Sequence, residues 1–173
     1  MILHPYSTDR MADQAPTVAW LANQRHAAVT HAPCEADTDY AVALAAWWGF
    51  DDEIVIVEQD IVPDDMALTT FDLCQWPACT APYHLRGGGV SLINLHTRVS
   101  LPGQPADYIG DLLPVISGLG LVRLRQEARQ RVNPEAFAGG WHGLDERLSR
   151  ALVHDAGIPW HVHAPVKAHT GRD

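Results

Sequence analysis

The sequence predicts an α/β domain, a three-layer sandwich built on a mostly parallel central sheet. Two observations carry that expectation. Strand-like and helix-like segments alternate from the start in the order strand, helix, strand, helix, strand, the pattern of right-handed crossovers in a parallel sheet. The third strand-like segment, Ile54-Val55-Ile56-Val57, holds only β-branched aliphatic residues, and a run without polar alternation is one buried on both faces.

The elements follow in order. Residues 1–6 are a short apolar start leading through Pro5-Tyr6-Ser7-Thr8 into a loop, as a first strand and its exit would. Val18, Trp20 and Leu21 make 17–24 the next helix. Residues 27–32 read as a weaker second strand closed by Pro33. Asp37-Thr38-Asp39 gives an acidic cap to an alanine-rich helix over 40–48, which Gly49 ends. The central strand follows at once, and Pro63 stops it. Asp64 and Asp65 start a helix over 64–75 with apolar coverage from Met66, Leu68, Phe71 and Leu73, and Trp76-Pro77 breaks it. Two more strands, 78–85 and 90–95, flank Arg86-Gly87-Gly88-Gly89. That turn lacks the Lys and Ser/Thr of a phosphate loop and reads as a hairpin or mobile loop. Residues 101–107, with Pro102, Gly103 and Pro105, form an exposed loop able to move over a ligand. Residues 118–125 are apolar, then alternate with Arg, and lead into a helix over 126–132. Gly139-Gly140-Trp141-His142-Gly143 opens the last helix, striped by Leu144, Leu148, Leu152 and Val153. A final strand over 158–166, interrupted by Pro159 and Pro165, is expected at an edge.

A chain of 173 residues has room for one domain with a substantial core. Hydrophobic and charged fractions of 47% and 19% exclude wholesale disorder. No apolar run approaches the ~20 residues of a membrane span. Met1-Ile2-Leu3-His4-Pro5 also lacks the regions of a signal peptide, so a cytoplasmic location is expected. A formal charge of -9 disfavours a surface for unspecific nucleic-acid binding. Arg123, Arg125, Arg129 and Arg131 nonetheless crowd one segment, which is either a phosphate-binding patch or a solvated face. Cys34, Cys74 and Cys79 are odd in number, and the Cys74 to Cys79 spacing is not that of a zinc knuckle. They are expected to pack as reduced, small apolar groups.

Glu58-Gln59-Asp60 sits where the central strand would emerge from the sheet. In an extended chain Glu58 and Asp60 share one side, with Cα atoms about 6.6 Å apart at roughly 3.3 Å per residue. Two carboxylates so placed can hold one divalent cation. Ligands of parallel sheets gather outside the carboxyl ends of the strands, which would set Tyr6 and Ser7 beside these acids. Near the other end, His161 and His163 alternate with Trp160 and Val162 and share a strand face; with His169 they are metal ligands or structural imidazoles. Asp145 falls in the first turn of the last helix, a place the helix dipole favours with or without catalysis. Trp141 is either packing or an aromatic edge for a sugar or base.

As a set, these features resemble the GT-A class of nucleotide-sugar glycosyltransferases, a Rossmann-like fold. The residues that carry the likeness are the apolar strand ending in Glu58-Gln59-Asp60, the Pro5-Tyr6 exit from the first strand, Gly139-Gly140 followed by Asp145, and the His-rich terminal strand. The resemblance implies that Glu58 and Asp60 bind Mn2+ or Mg2+ with the donor diphosphate and that Asp145 is the base for the acceptor hydroxyl. One of His161, His163 and His169, with His163 first, becomes the late metal ligand. It further implies donor contacts from Pro5, Tyr6, Ser7 and Asp39, and from Arg123. The activity implied is transfer of a sugar from a nucleotide-diphosphate donor to a hydroxyl of a glycan, a small molecule or a hydroxylated DNA base. The course is inverting if Asp145 faces the cleft and retaining if no acid lies on the acceptor side. The same acids and histidines also suit a metal-dependent hydrolase or phosphotransfer enzyme, and the fold by itself suits a non-catalytic binding module.

Overall fold

Ile54, Ile56 and Val57 are wholly shielded from solvent and Val55 is buried with them, as an unbroken aliphatic run requires. Each such side chain contributes roughly 1.5–3 kcal/mol by leaving water. The computed structural model that shows this describes residues 1–9, 15–24, 27–85 and 88–170. In chain order the elements begin with β1 (Ile2–Ser7), α1 (Ala15–Ala22), β2 (Val29–Cys34), α2 (Asp39–Trp48), β3 (Ile54–Val57), β4 (Ile61–Val62), α3 (Ala67–Leu73) and β5 (Ala78–Thr80). There follow β6 (Leu92–Asn94), β7 (Leu112–Leu113), β8 (Val115–Ser117), β9 (Leu121–Leu124), α4 (Gln126–Gln130), α5 (Leu144–Arg150), β10 (Trp160–Val162) and β11 (Ala168–His169). Arg86 and Gly87 of the glycine-rich turn lie outside the described residues.

Seven strands form the central sheet in the order β2-β1-β3-β9-β5-β10-β7. β2, β1 and β3 pair in parallel, as do β5 and β10. β9 runs antiparallel to both β3 and β5, and β7 antiparallel to β10. Most strands therefore share a direction, but the sheet is mixed. Pro33 lies inside β2 rather than closing it, which the edge position of β2 permits. The last long strand is not at an edge: β10 has β5 on one side and β7 on the other, and Pro159 and Pro165 fall outside its paired residues.

Alternation along the strands makes two cores and hence three layers. Leu3, Ile54, Ile56, Val122 and Leu124 pack with Tyr40, Leu44 and Trp48 of α2 and with Leu144 and Leu148 of α5. Ile2, Val55, Val57 and Leu121 pack on the opposite face with Trp20 and Leu21 of α1 and Phe71 of α3. α2 is helical because an alanine-rich segment puts Tyr40, Ala41, Leu44 and Trp48 on one buried face. α3 is shorter than its apolar content suggests, since Met66 and Leu73 are exposed. Among the described residues no helix is long and apolar enough to cross a membrane.

Candidate functional site

The carboxyl ends of β1, β2 and β3 lie side by side and frame a cavity of about 320 Å³. β1 supplies Pro5, Tyr6 and Ser7, the last residue of β2 is Cys34, the segment after it supplies Glu35 and Asp37, and α2 supplies Tyr40. Glu58, Gln59 and Asp60 come from the end of β3, and Trp141 adds an aromatic side. The wall is acidic. Asp9, Glu35, Asp37, Glu58 and Asp60 line it, and among the described residues no Lys or Arg does.

A turn, rather than the expected extended chain, presents the two central acids. β3 ends at Val57, and the Ile61 N–H donates to the Glu58 carbonyl at 3.2 Å. The Glu58 N–H donates to the Gly120 carbonyl at 2.9 Å, tying the turn to the start of β9. Gln59, between the acids, accepts from the Ser7 N–H at 2.7 Å through its side-chain oxygen and so ties the turn to the end of β1. Beneath them the buried Thr17 hydroxyl lies 2.8 Å from the Gln59 carbonyl and 2.7 Å from that of Ile61. Glu58 and Asp60 are thereby fixed at the same cavity.

Pairing of β11 with β4 sets His169 opposite Ile61, and the Thr170 N–H donates to the Asp60 carbonyl at 2.7 Å. His169 Nε2 consequently lies 3.5 Å from Asp60 Oδ2. The imidazole also stacks on Tyr83, with ring centres 5.1 Å apart at 12°. Tyr83 in turn needs the glycines beneath it. A Cβ at Gly118 would meet its hydroxyl at 2.5 Å, and one at Gly120 would meet Cε1 at 2.6 Å. Burial, then the charges of Glu58, Asp60 and Asp145, pushes the Tyr83 phenol well above its ordinary range. Burial followed by Glu58 does the same to Tyr40. Both phenols stay neutral donors amid carboxylates. Tyr83 and His169 also line a second cavity of about 610 Å³ with Gln104, Pro105 and Lys167, so of the Asp60–His169 pair one member lines each cavity.

Asp145 occupies the first turn of α5, partly buried, and its Oδ1 accepts from the Glu146 N–H at 2.7 Å. It does not line the first cavity, although its charge reaches Tyr83 together with those of Glu58 and Asp60. Burial raises its pKa above the ordinary carboxylate value. Asp39 turns into its own loop, where Oδ2 accepts from the Glu35 and Ala36 N–H groups at 2.9 and 2.8 Å. Asp37, not Asp39, reaches the cavity. The Trp141 N–H donates to the Asp37 carbonyl at 2.7 Å. A Cβ at Gly140 would displace the Asp37 carboxylate from its present place.

Two expected site residues are elsewhere. Arg123 is fully buried and stands opposite Val55, toward the amino end of β3, because β9 runs antiparallel. It donates to the Trp76 and Cys74 carbonyls at 2.8 and 3.2 Å, contacts Cys79 Sγ at 2.7 Å and pairs with Glu53 at 3.3 Å. It braces loops and does not approach the acidic cavity. Arg129 is likewise buried and donates to the Trp48 carbonyl at 2.6 Å, whereas Arg125 is half-buried and Arg131 exposed, so the arginine-rich segment does not act as one face. His163 stands apart from Asp60 because β9 and β5 intervene between β3 and β10. It joins His161, Cys74 and Cys79 instead. Burial, then His161 and Arg123, lowers the His163 pKa to about 4, so its imidazole is neutral. Asp37, Tyr40 and Tyr83 were not anticipated. The pair Gly118 and Gly120 around a single leucine was the available sign that a ring packs there.

The fold and cavity define an α/β domain whose pocket opens at the carboxyl edge of parallel strands, where the rule for such sheets places ligands. Among solved structures the chain superposes on A197 from STIV with a TM-score of 0.63 at 16% identity, over 99% of this chain and 86% of that one. That likeness shows a shared fold. A weaker likeness, with a TM-score of 0.47 at 15% identity over 98% of this chain and 68% of that one, is to a Drosophila β-1,4-galactosyltransferase 7 mutant in complex with manganese, UDP-Gal and xylobiose. No protein-family model and no curated protein matches the sequence.

Proposed function

We propose that the chain is a metal-dependent glycosyltransferase that moves a sugar from a nucleotide-diphosphate donor to a hydroxyl acceptor. The observation that carries this reading is the acidic cavity at the ends of β1, β2 and β3, into which Glu58 and Asp60 both project with His169 against Asp60. Among the described residues the wall carries five carboxylates and no Lys or Arg, a charge that opposes a diphosphate and that a bound cation would offset. Two carboxylates with an adjacent imidazole fit Mn2+ or Mg2+ by ligand chemistry. When bound, such an ion offsets the negative charge that develops on the leaving diphosphate. Tyr6, Ser7 and Asp37 would contact the nucleoside, with Trp141 offering a face to stack on. The acceptor would enter through the second cavity, across the Asp60–His169 pair. The acceptor oxygen bonds to the anomeric carbon as the carbon–diphosphate oxygen bond breaks. Asp145 lines neither cavity but its charge is felt at Tyr83, so as the base for the hydroxyl proton it requires the acceptor to reach the α5 side of that ring.

Isothermal titration of UDP and GDP with and without Mn2+ tests this reading. Binding that requires the metal supports it, and the absence of nucleotide binding under any divalent ion removes it. A panel of nucleotide sugars screened for metal-dependent hydrolysis then identifies the donor.

A further inference from the structure

We propose that Cys74, Cys79, His161 and His163 form a structural zinc site, separate from the acidic cavity. The four side chains come from three elements that share the α3 face of the sheet. Cys79 of β5 is in parallel register with His161 of β10, so their side chains leave the sheet together. His163 is two residues further along the same face, held by its N–H to the Thr80 carbonyl at 2.8 Å. Cys74 follows directly on α3, which covers that face.

The ligand atoms converge. Cys74 Sγ is 3.1 Å from Cys79 Sγ and 3.3 Å from His161 Nδ1, and His161 Nδ1 is 3.1 Å from His163 Nε2. All four ligand atoms lie within 4.8 Å of one another. A tetrahedral zinc with Zn–S of ~2.3 Å and Zn–N of ~2.0 Å sets sulfurs about 3.8 Å and nitrogens about 3.3 Å apart. To admit the ion the sulfurs would part by about 0.7 Å and the nitrogens by about 0.2 Å. Two sulfurs and two imidazoles are the soft and borderline donors that zinc selects, and four protein ligands leave no open position for substrate.

The surroundings fit an ion better than packing alone. Trp76 stacks on His161 with ring centres 6.0 Å apart, and Phe71 meets His163 edge-on at 5.1 Å, orienting both rings. Arg123 donates to Cys79 Sγ at 2.7 Å, the outer contact expected of a metal-bound thiolate. Each thiol gives its proton to solvent as its sulfur takes up the ion, and the two thiolates neutralise the zinc charge. The ion would pin the end of α3 to β5 and β10.

Metal analysis of the full chain, purified under reducing conditions without chelator, is the test. We expect about one zinc per chain retained through dialysis. Exchange with Co2+ should give a thiolate-to-cobalt charge-transfer band and the intense visible bands of a tetrahedral site. C74S and C79S should each lower metal content at least tenfold, whereas D60N should retain it and so separate this site from the cavity. If the cysteine variants do not fold, the wild-type cobalt spectrum decides. A folded, reduced chain that takes up neither metal, a cobalt spectrum without the thiolate band, or a Cys74–Cys79 disulfide in the freshly isolated protein overturns the proposal.

Discussion

Asp60 is the residue on which the proposed chemistry turns, since it lines the acidic cavity and meets His169 at 3.5 Å. Asp60→Asn keeps the shape and removes the charge. We expect metal-dependent nucleotide-sugar turnover to fall at least hundredfold, the scale of losing a main electrostatic stabiliser, with the melting temperature within a few degrees of wild type. Equal turnover by the variant would count against a metal there. Asp145 carries a second prediction through its raised pKa. As the base it must be ionised, so the acid limb of kcat/KM should lie above the ordinary carboxylate range, and Asp145→Asn should abolish turnover across it. For stability the sign runs the same way. A carboxyl whose folded pKa exceeds its unfolded value favours the fold while protonated, and that contribution is lost as pH rises through the folded pKa. Asp145→Asn should therefore gain stability relative to wild type above that range, read by urea denaturation at several pH values. Glu58 and Asp60 were legible because acids directly follow a buried aliphatic run. His169 was legible only as one of three histidines, because a two-residue strand pairing that periodicity cannot show brings it to Asp60.

At the scale of elements, β9 decides what the cavity can contain. Its direction was hidden, since an apolar strand inserted antiparallel reads like a parallel one, and this misplaced Arg123. The strand order also withdrew His163 from the cleft. Zinc-like spacing was dismissed when the cysteines were read apart from the histidines; only the β5–β10 register joins them. The start of β9 is tightly packed. Gly120→Ala would set a Cβ 2.6 Å from Tyr83 Cε1 and 2.8 Å from Ile61 Cγ1. We expect a loss of roughly 1–3 kcal/mol from overpacking, measured by chemical denaturation, together with weaker nucleotide binding as Tyr83 and the turn carrying Glu58 shift. Wild-type stability and binding in this variant would show that the ring does not fix the site.

For the whole molecule, the α/β class and the alternation of layers were readable, because each strand shows one face to each core and the crossover helices carry matching stripes. Thermal stability offers a global check on the site. A nucleotide that binds with Mn2+ at a hundred times its Kd adds about 2.7 kcal/mol, or a rise of roughly 5–10 °C for a chain of this size. Neither component should produce that rise alone, and a full shift from nucleotide without metal would contradict the proposed role of the acids. The position of β9 also governs how the protein is made. Val57 finds its partner in Leu121, 64 positions later. At about 5–20 residues per second of synthesis, one flank of the most water-averse strand stays uncovered for roughly 3 to 13 s. During that interval the emerging chain presents an adhesive β-edge, so recovery of active protein should depend on translation speed and holdase supply more than its final stability would suggest.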